Sequence, residues 1–131
     1  MPVNKKVLII EDDAVQVRLL TVRLKAAGFD VAVASDAVQS VGAVRRERPD
    51  IVLLDIGLPG GDGYVVLKRL KALVHISAVP IIAVSGRTAD TERERMLAAG
   101  ADHYFEKPVN VDRLTARMRE LLGGDSLAAT A

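Results

Sequence analysis

Five short apolar runs recur along the chain, and each is followed by a stretch whose apolar residues return at helical spacing. The runs fall at 7–10 (Val-Leu-Ile-Ile), 31–34, 51–54, 81–84 and 103–106. Runs of four or five residues are strand-length, and continuously apolar ones read as strands buried on both faces. The third and fourth are of this kind and read as central; the fifth, His-Tyr-Phe-Glu, is mixed and reads as an edge. Strand and helix alternating five times implies one parallel sheet with right-handed crossovers and helices on both faces.

Five such units suit an α/β, doubly wound, flavodoxin-like sheet of order 2-1-3-4-5, an order expected by analogy with known folds of this count. In the first helix Val15, Leu19, Val22 and Ala26 repeat at helical spacing, with Leu20, Leu24 and Ala27 on the adjoining row. Gly28 stops that helix and Phe29 packs back onto it. Val38, Val41 and Val44 mark a second helix, ending before Pro49. Val66, Leu67, Leu70, Leu73 and Val74 mark a third, capped by Asp62. A fourth covers 88–99 and is stopped by Gly100. Val111, Leu114, Met118, Leu121 and Leu122 mark a fifth, capped by Asn110 and stopped by Gly123. Residues 1–122 form one domain on this reading, and 123–131 a frayed tail.

With 131 residues the chain has one domain's length, and a composition 50% hydrophobic and 27% charged excludes a disordered chain. Eighteen Lys and Arg against seventeen Asp and Glu leave a net charge of +1, with no global basic footprint for nucleic acid. There is no cysteine, which excludes disulfide scaffolds, thiolate metal sites and cysteine nucleophiles. The apolar stretch at 7–10 is too short for a signal-peptide core or a membrane span, so no membrane insertion is expected. Two Tyr, two Phe and no Trp are too few aromatics for a stacking platform for single strands.

Ligands of open parallel sheets bind at the carboxyl ends of the strands, beside the point where strand order reverses. The first strand ends in Glu11-Asp12-Asp13, the third in Asp55, the fourth in Ser85 and the fifth in Lys107-Pro108. The carboxylates of Glu11, Asp12 and Asp55, a hydroxyl and an amine therefore converge on one rim. Crowded carboxylates repel unless a cation is present, and Mg2+ takes one or two carboxylates together with water and phosphate oxygens. Lysine neutralises a phosphoryl group, serine donates to it, and Asp55 stands placed as a nucleophile that forms an acyl phosphate. Asp13 reads as the cap of the first helix rather than as a ligand. Ser85 is open to a second reading, satisfaction of a backbone group, and Tyr104 to ordinary edge-strand packing. Gly60-Gly61-Asp62-Gly63 reads as a flexible loop, since it lacks the Lys and Ser or Thr of a phosphate-binding loop. His75 and His103 are expected at the surface, and Arg45, Arg46 and Arg48 form a solvated helix end.

Four pieces of sequence in order resemble one family: Val-Leu-Ile-Ile-Glu-Asp-Asp at 7–13, Asp-Ile-Val-Leu-Leu-Asp-Ile-Gly-Leu-Pro-Gly-Gly-Asp-Gly-Tyr at 50–64, Pro-Ile-Ile-Ala-Val-Ser-Gly at 80–86, and Gly-Ala-Asp-His-Tyr-Phe-Glu-Lys-Pro at 100–108. The chain resembles the receiver domain of bacterial two-component response regulators, including the chemotaxis regulators, over roughly residues 5–122. The resemblance implies Asp55 as phosphoacceptor and Mg2+ as cofactor, with Asp12 a direct ligand, Glu11 acting through water, Asp55 itself, and the carbonyl of Gly57. It implies Lys107 as the phosphate-binding lysine, Ser85 as the hydroxyl that follows the phosphoryl group, Tyr104 as an aromatic switch, and a cis Lys107–Pro108 bond. A histidine kinase or histidine phosphotransfer domain would be the donor. The domain would promote its own phosphorylation and dephosphorylation and have no other enzymatic turnover. Glycine stands at 57 where many receivers carry a polar side chain, and Arg87 puts a long cation two residues beyond Ser85, which leaves the phosphoryl lifetime open.

The fourth helix, with Met96 and Leu97 as its large apolar residues, is the least anchored. Phosphorylation is therefore expected to shift the helix 4–strand 5–helix 5 face, where a downstream protein or a second copy docks. A cytoplasmic location is expected, without direct nucleic-acid contact. The initiating Met1 slightly favours a stand-alone regulator over a segment of a larger protein. Three rivals fit less well. A flavin carrier would set its phosphate against Glu11, Asp12 and Asp13, and an aspartate-nucleophile phosphohydrolase needs a second acid where Gly57 stands. A silent interaction module would have no use for a complete set of site residues.

Overall fold

The computed structural model describes residues 4–57, 63–73, 78–86 and 90–123. Its elements run β1 (Lys6–Ile10), α1 (Ala14–Ala26), β2 (Asp30–Ala34), α2 (Ala37–Glu47), β3 (Ile51–Asp55), α3 (Gly63–Lys71), β4 (Ile81–Ser85), α4 (Asp90–Ala98), β5 (His103–Glu106) and α5 (Val111–Leu121). All four strand pairings are parallel and the order is β2-β1-β3-β4-β5, as expected. β3 and β4 are buried at every position, which is why their sequences carry no alternation.

Two cores line the sheet. On one face Leu8, Ile10, Val52, Leu54, Ile81 and Ala83 pack under α2, α3 and α4, with Val44, Leu67, Leu70 and Met96 as their helical partners. On the other, Val7, Ile9, Ile51, Leu53, Ile82 and Val84 pack under α1 and α5, against Leu24, Leu114 and Met118.

Of the two apolar rows of α1, the one with Leu20, Leu24 and Ala27 meets the sheet and the other faces out. Val15, Leu19 and Val22 are 65%, 58% and 61% exposed, whereas Leu24 is fully buried. Nine residues separate Val15 from Leu24, which puts them on opposite sides of a helix of 3.6 residues per turn. The helix carries apolar residues on both sides, so periodicity alone does not say which side meets the sheet. Its end decides: Gly28 takes φ +98°, and the Phe29 N–H donates to the Leu24 carbonyl at 3.0 Å. That turn drives Phe29 into the core beside Leu24. Val38 of α2 likewise faces out, 78% exposed, while Ala37, Ala43 and Val44 are buried.

Other punctuation behaves as expected. Asn110 Oδ1 caps α5 by accepting from the Arg113 N–H at 3.0 Å, and Gly100 and Gly123 follow α4 and α5 at positive φ. The α4 helix is described from Asp90, so a start at Thr88 lies outside the described residues, as do Asp62, Val74 and the tail beyond Gly123. At the start of α3, a Cβ on Gly63 would lie 2.6 Å from the Ile56 Cα and carbonyl oxygen. Only glycine lets α3 approach the residue that follows Asp55.

Candidate functional site

The parallel order gathers the ends of β1, β3, β4 and β5 on one rim. Ile10 pairs with Leu54, Asp55 with Val84, and Ser85 with Glu106, so Glu11, Asp55, Ser85 and Lys107 each emerge at the same level of the sheet. Glu11, Asp55 and Ser85 are buried, Asp12 is exposed and Lys107 is half-buried.

The charged groups close on one another. Lys107 Nζ lies 3.0 Å from Glu11 Oε1 and 3.3 Å from Asp55 Oδ1. The Gly57 N–H donates to Asp55 Oδ1 at 3.1 Å, and the Asp13 N–H to Glu11 Oε2 at 3.3 Å. Glu11, Asp12 and Asp55 each bring one carboxylate oxygen into a group spanning no more than 4.8 Å. Burial pushes the Glu11 carboxyl up to about 6, and its hydrogen bond with Asp55 adds to the rise; Lys107 and the Asp13 N–H oppose it. Burial by itself would lower the Lys107 ammonium. The bond to Glu11 and the charges of Asp55 and Glu11 outweigh it and hold the group above its usual value.

Asp13 takes the capping role read from the sequence. Its Oδ1 accepts from the Val15 and Gln16 N–H groups at 2.9 and 3.3 Å, which turns it away from the acidic group and onto α1. Gly57 sits beside Asp55, and a Cβ there would meet Asp55 Oδ1 at 3.8 Å, an ordinary contact. The Ser85 carbonyl accepts the Lys107 N–H at 2.8 Å, and the Lys107–Pro108 bond is cis. Tyr104 is buried among the side chains of the α2–α3–α4 core, the packing alternative read from the sequence. Arg87, His75 and the glycine-rich stretch at 60–62 lie outside the described residues. His103 is half-buried rather than on the open surface, with its ring 4.8 Å from that of Phe105.

One contact near the site had no signature in the sequence. The Arg95 guanidinium of α4 stacks 4.1 Å above the ring of Tyr64, the residue after Gly63. No spacing rule joins residues so distant in the chain; only the adjacency of α3 and α4 does.

Such a rim is suited to a cation and an anion held side by side. The carboxylates can hold a cation and the ammonium can meet an anion, with Glu11 and Asp55 both in reach of Lys107. Comparison with known proteins agrees. Residues 7–119 match the family model for the response regulator receiver domain. The DNA-binding response regulator MtrA of Mycobacterium tuberculosis is 40% identical over 119 residues, 91% of this chain and 51% of that protein. The chain thus spans about half the length of the curated relatives it matches. A putative response regulator from Chloroflexus aurantiacus superposes with a TM-score of 0.88 at 26% identity, covering 92% of this chain and 99% of that one. The receiver domain of a sensor histidine kinase from Pseudomonas aeruginosa, solved with a magnesium ion coordinated in its active site cleft, gives a TM-score of 0.84 at 30% identity and covers 92% and 99%. A sheet of the right order, an acidic rim and these matches give one conclusion: the chain belongs to the response regulator receiver domain family.

Proposed function

We propose that the domain takes a phosphoryl group onto Asp55 from a histidine kinase or histidine phosphotransfer domain and answers by changing the surface of α4, β5 and α5. The observation that carries this reading is the placement of the Asp55 carboxylate between a cation and two further acids, with Lys107 Nζ 3.3 Å away. An oxygen of Asp55 attacks phosphorus, the acyl phosphate bond forms, and the P–N bond to the donor imidazole breaks. The proton needed by the departing nitrogen comes from solvent or the donor. Lys107 holds its ammonium where the phosphoryl oxygens arrive, and Ser85 is the hydroxyl that follows them.

The residues present fit Mg2+. Carboxylate oxygens of Glu11, Asp12 and Asp55 lie within 4.8 Å of one another against the one ammonium of Lys107, a site short of positive charge. Glu11, Asp12, Asp55 and the Gly57 carbonyl would hold the ion, Glu11 through water. Its chemistry there would be to offset the charge of the carboxylates and of the incoming phosphoryl group.

The output is a surface rather than a product. Among large apolar side chains on α4, Met96 is fully buried and Leu97 is 36% exposed, so little apolar area ties the helix down. Ser85 precedes it, and Tyr104 and Met96 share one core, which makes Tyr104 the side chain through which a hydroxyl drawn toward phosphate reaches α4. The downstream partner is a protein or a second copy, met without direct nucleic-acid contact by this domain. No helix among the described residues is long and apolar enough to cross a membrane, and the reading places the domain in the cytoplasm. Amide hydrogen exchange with and without Mg2+ and beryllofluoride, a phosphoryl mimic, tests it. Protection should change across residues 90–122; a change confined to the loops around Asp55 would contradict the route.

A further inference from the structure

β5 is an edge strand, paired with β4 on one side only, and the helices flanking it leave an open groove of about 450 Å³. Its polar lining is uneven. Arg93 from α4 stands on one wall, Arg113 and Arg117 from α5 on the other, against Glu106 and Glu120. Glu120 is already taken by Arg117 at 3.2 Å. The side chains of Arg93 and Arg113 meet no carboxylate within ion-pair distance among the described residues. His103 is held below its usual value by burial first, and then by Arg117 and Arg93. Beside it, Phe105 meets the imidazole edge to face, so the floor is aromatic and half-buried.

We propose that this groove receives an acidic segment of a partner protein, its carboxylates on Arg93, Arg113 and Arg117 and an apolar side chain on the His103–Phe105 floor. The inference names the partner of the output face and rests on that reading for its link to phosphorylation. The spacing favours a chain of carboxylates over one compact anion. Arg113 and Arg117 are one helical turn apart, about 6 Å, and Arg93 lies across the groove on another element. A phosphate site would focus its cations on one point, whereas these are laid out along a line and across it. A second copy of this face would bring guanidiniums against guanidiniums, with too few free acids to answer them.

Fluorescence anisotropy of the full chain with a labelled peptide in which pairs of glutamates alternate with single leucines tests the inference, without any phosphodonor. The peptide should bind, and its lysine analogue should not. Arg113→Glu and Arg93→Glu, on different helices and both at exposed positions, should each weaken binding about tenfold, and raising salt should weaken it further. Three results would overturn it: affinity unchanged in both variants, tighter binding of duplex DNA than of the peptide, or a wild-type dimer that Arg113→Glu dissolves. The phosphoacceptor reading is separate in this test. A silent peptide leaves Asp55 chemistry standing, and an Asp55 that takes no phosphoryl group leaves the peptide measurement intact.

Discussion

The ammonium of Lys107 lies 3.3 Å from Asp55 Oδ1, although β5 and β3 are not neighbours and the whole of β4 separates them. The lysine spans that gap from the loop beyond β5, and its own N–H is fixed to the Ser85 carbonyl at the end of the intervening strand. One cation therefore serves two carboxylates.

Replacing that cation should separate its two effects. In Lys107→Ala the ammonium no longer repels a metal at the acidic rim, so Mg2+ should bind roughly tenfold tighter. Phosphorylation by a small phosphodonor should nonetheless slow by on the order of 10²-fold, because the group that meets the phosphoryl oxygens is gone. Metal titration and the rate of phosphoprotein formation read the two separately, and a weaker affinity for Mg2+ would show that Lys107 does not compete with the ion.

The raised Glu11 carboxyl has a sign that can be checked in metal-free protein. With a folded value of about 6 against a usual 4.5, the native state binds the extra proton between those limits. The stability tied to that proton is fully present below 4.5 and lost as pH rises through 6. Glu11→Gln, with chelator present, should be more stable than wild type at pH 7, and the advantage should shrink as pH falls from about 6 toward about 4.5. Thermal melts across that range decide it; a gap independent of pH would place the proton elsewhere.

Asp12 and Asp13 are neighbours in sequence with different duties. Asp12→Ala should weaken Mg2+ binding strongly and leave the fold alone. Asp13→Ala should change metal affinity little but remove the bonds to the Val15 and Gln16 N–H groups, at a cost of about 0.5–2 kcal/mol. Equal losses of affinity in the two variants would mean the pair is misassigned.

Leu24→Ala should cost about 2–5 kcal/mol and Leu19→Ala less than about 0.5 kcal/mol, since one is fully buried and the other 58% exposed. Denaturant titrations of both variants check which side of α1 holds the sheet. The same pair shows where the sequence was legible. Strands β3 and β4 announce themselves because burial on both faces demands unbroken apolar runs. The rim was legible too, since topology alone sends the residue after each strand to one edge, and Glu11, Asp55 and Lys107 do meet there. The facing of α1 was not, because apolar residues on both of its sides satisfy the same period. The stack of Arg95 on Tyr64 and the groove of Arg93, Arg113 and Arg117 were hidden for another reason: each joins side chains from separate helices, which no local pattern records.

The nucleophile itself is tested most directly by weighing the protein. Wild type and Asp55→Asn, each incubated with a small phosphodonor and Mg2+, should differ in one respect: wild type gains the mass of a single phosphoryl group and loses it to hydroxylamine, as an acyl phosphate must, while the Asn variant stays at its starting mass with its fold intact. A phosphoryl adduct of undiminished yield on Asp55→Asn would contradict the assignment.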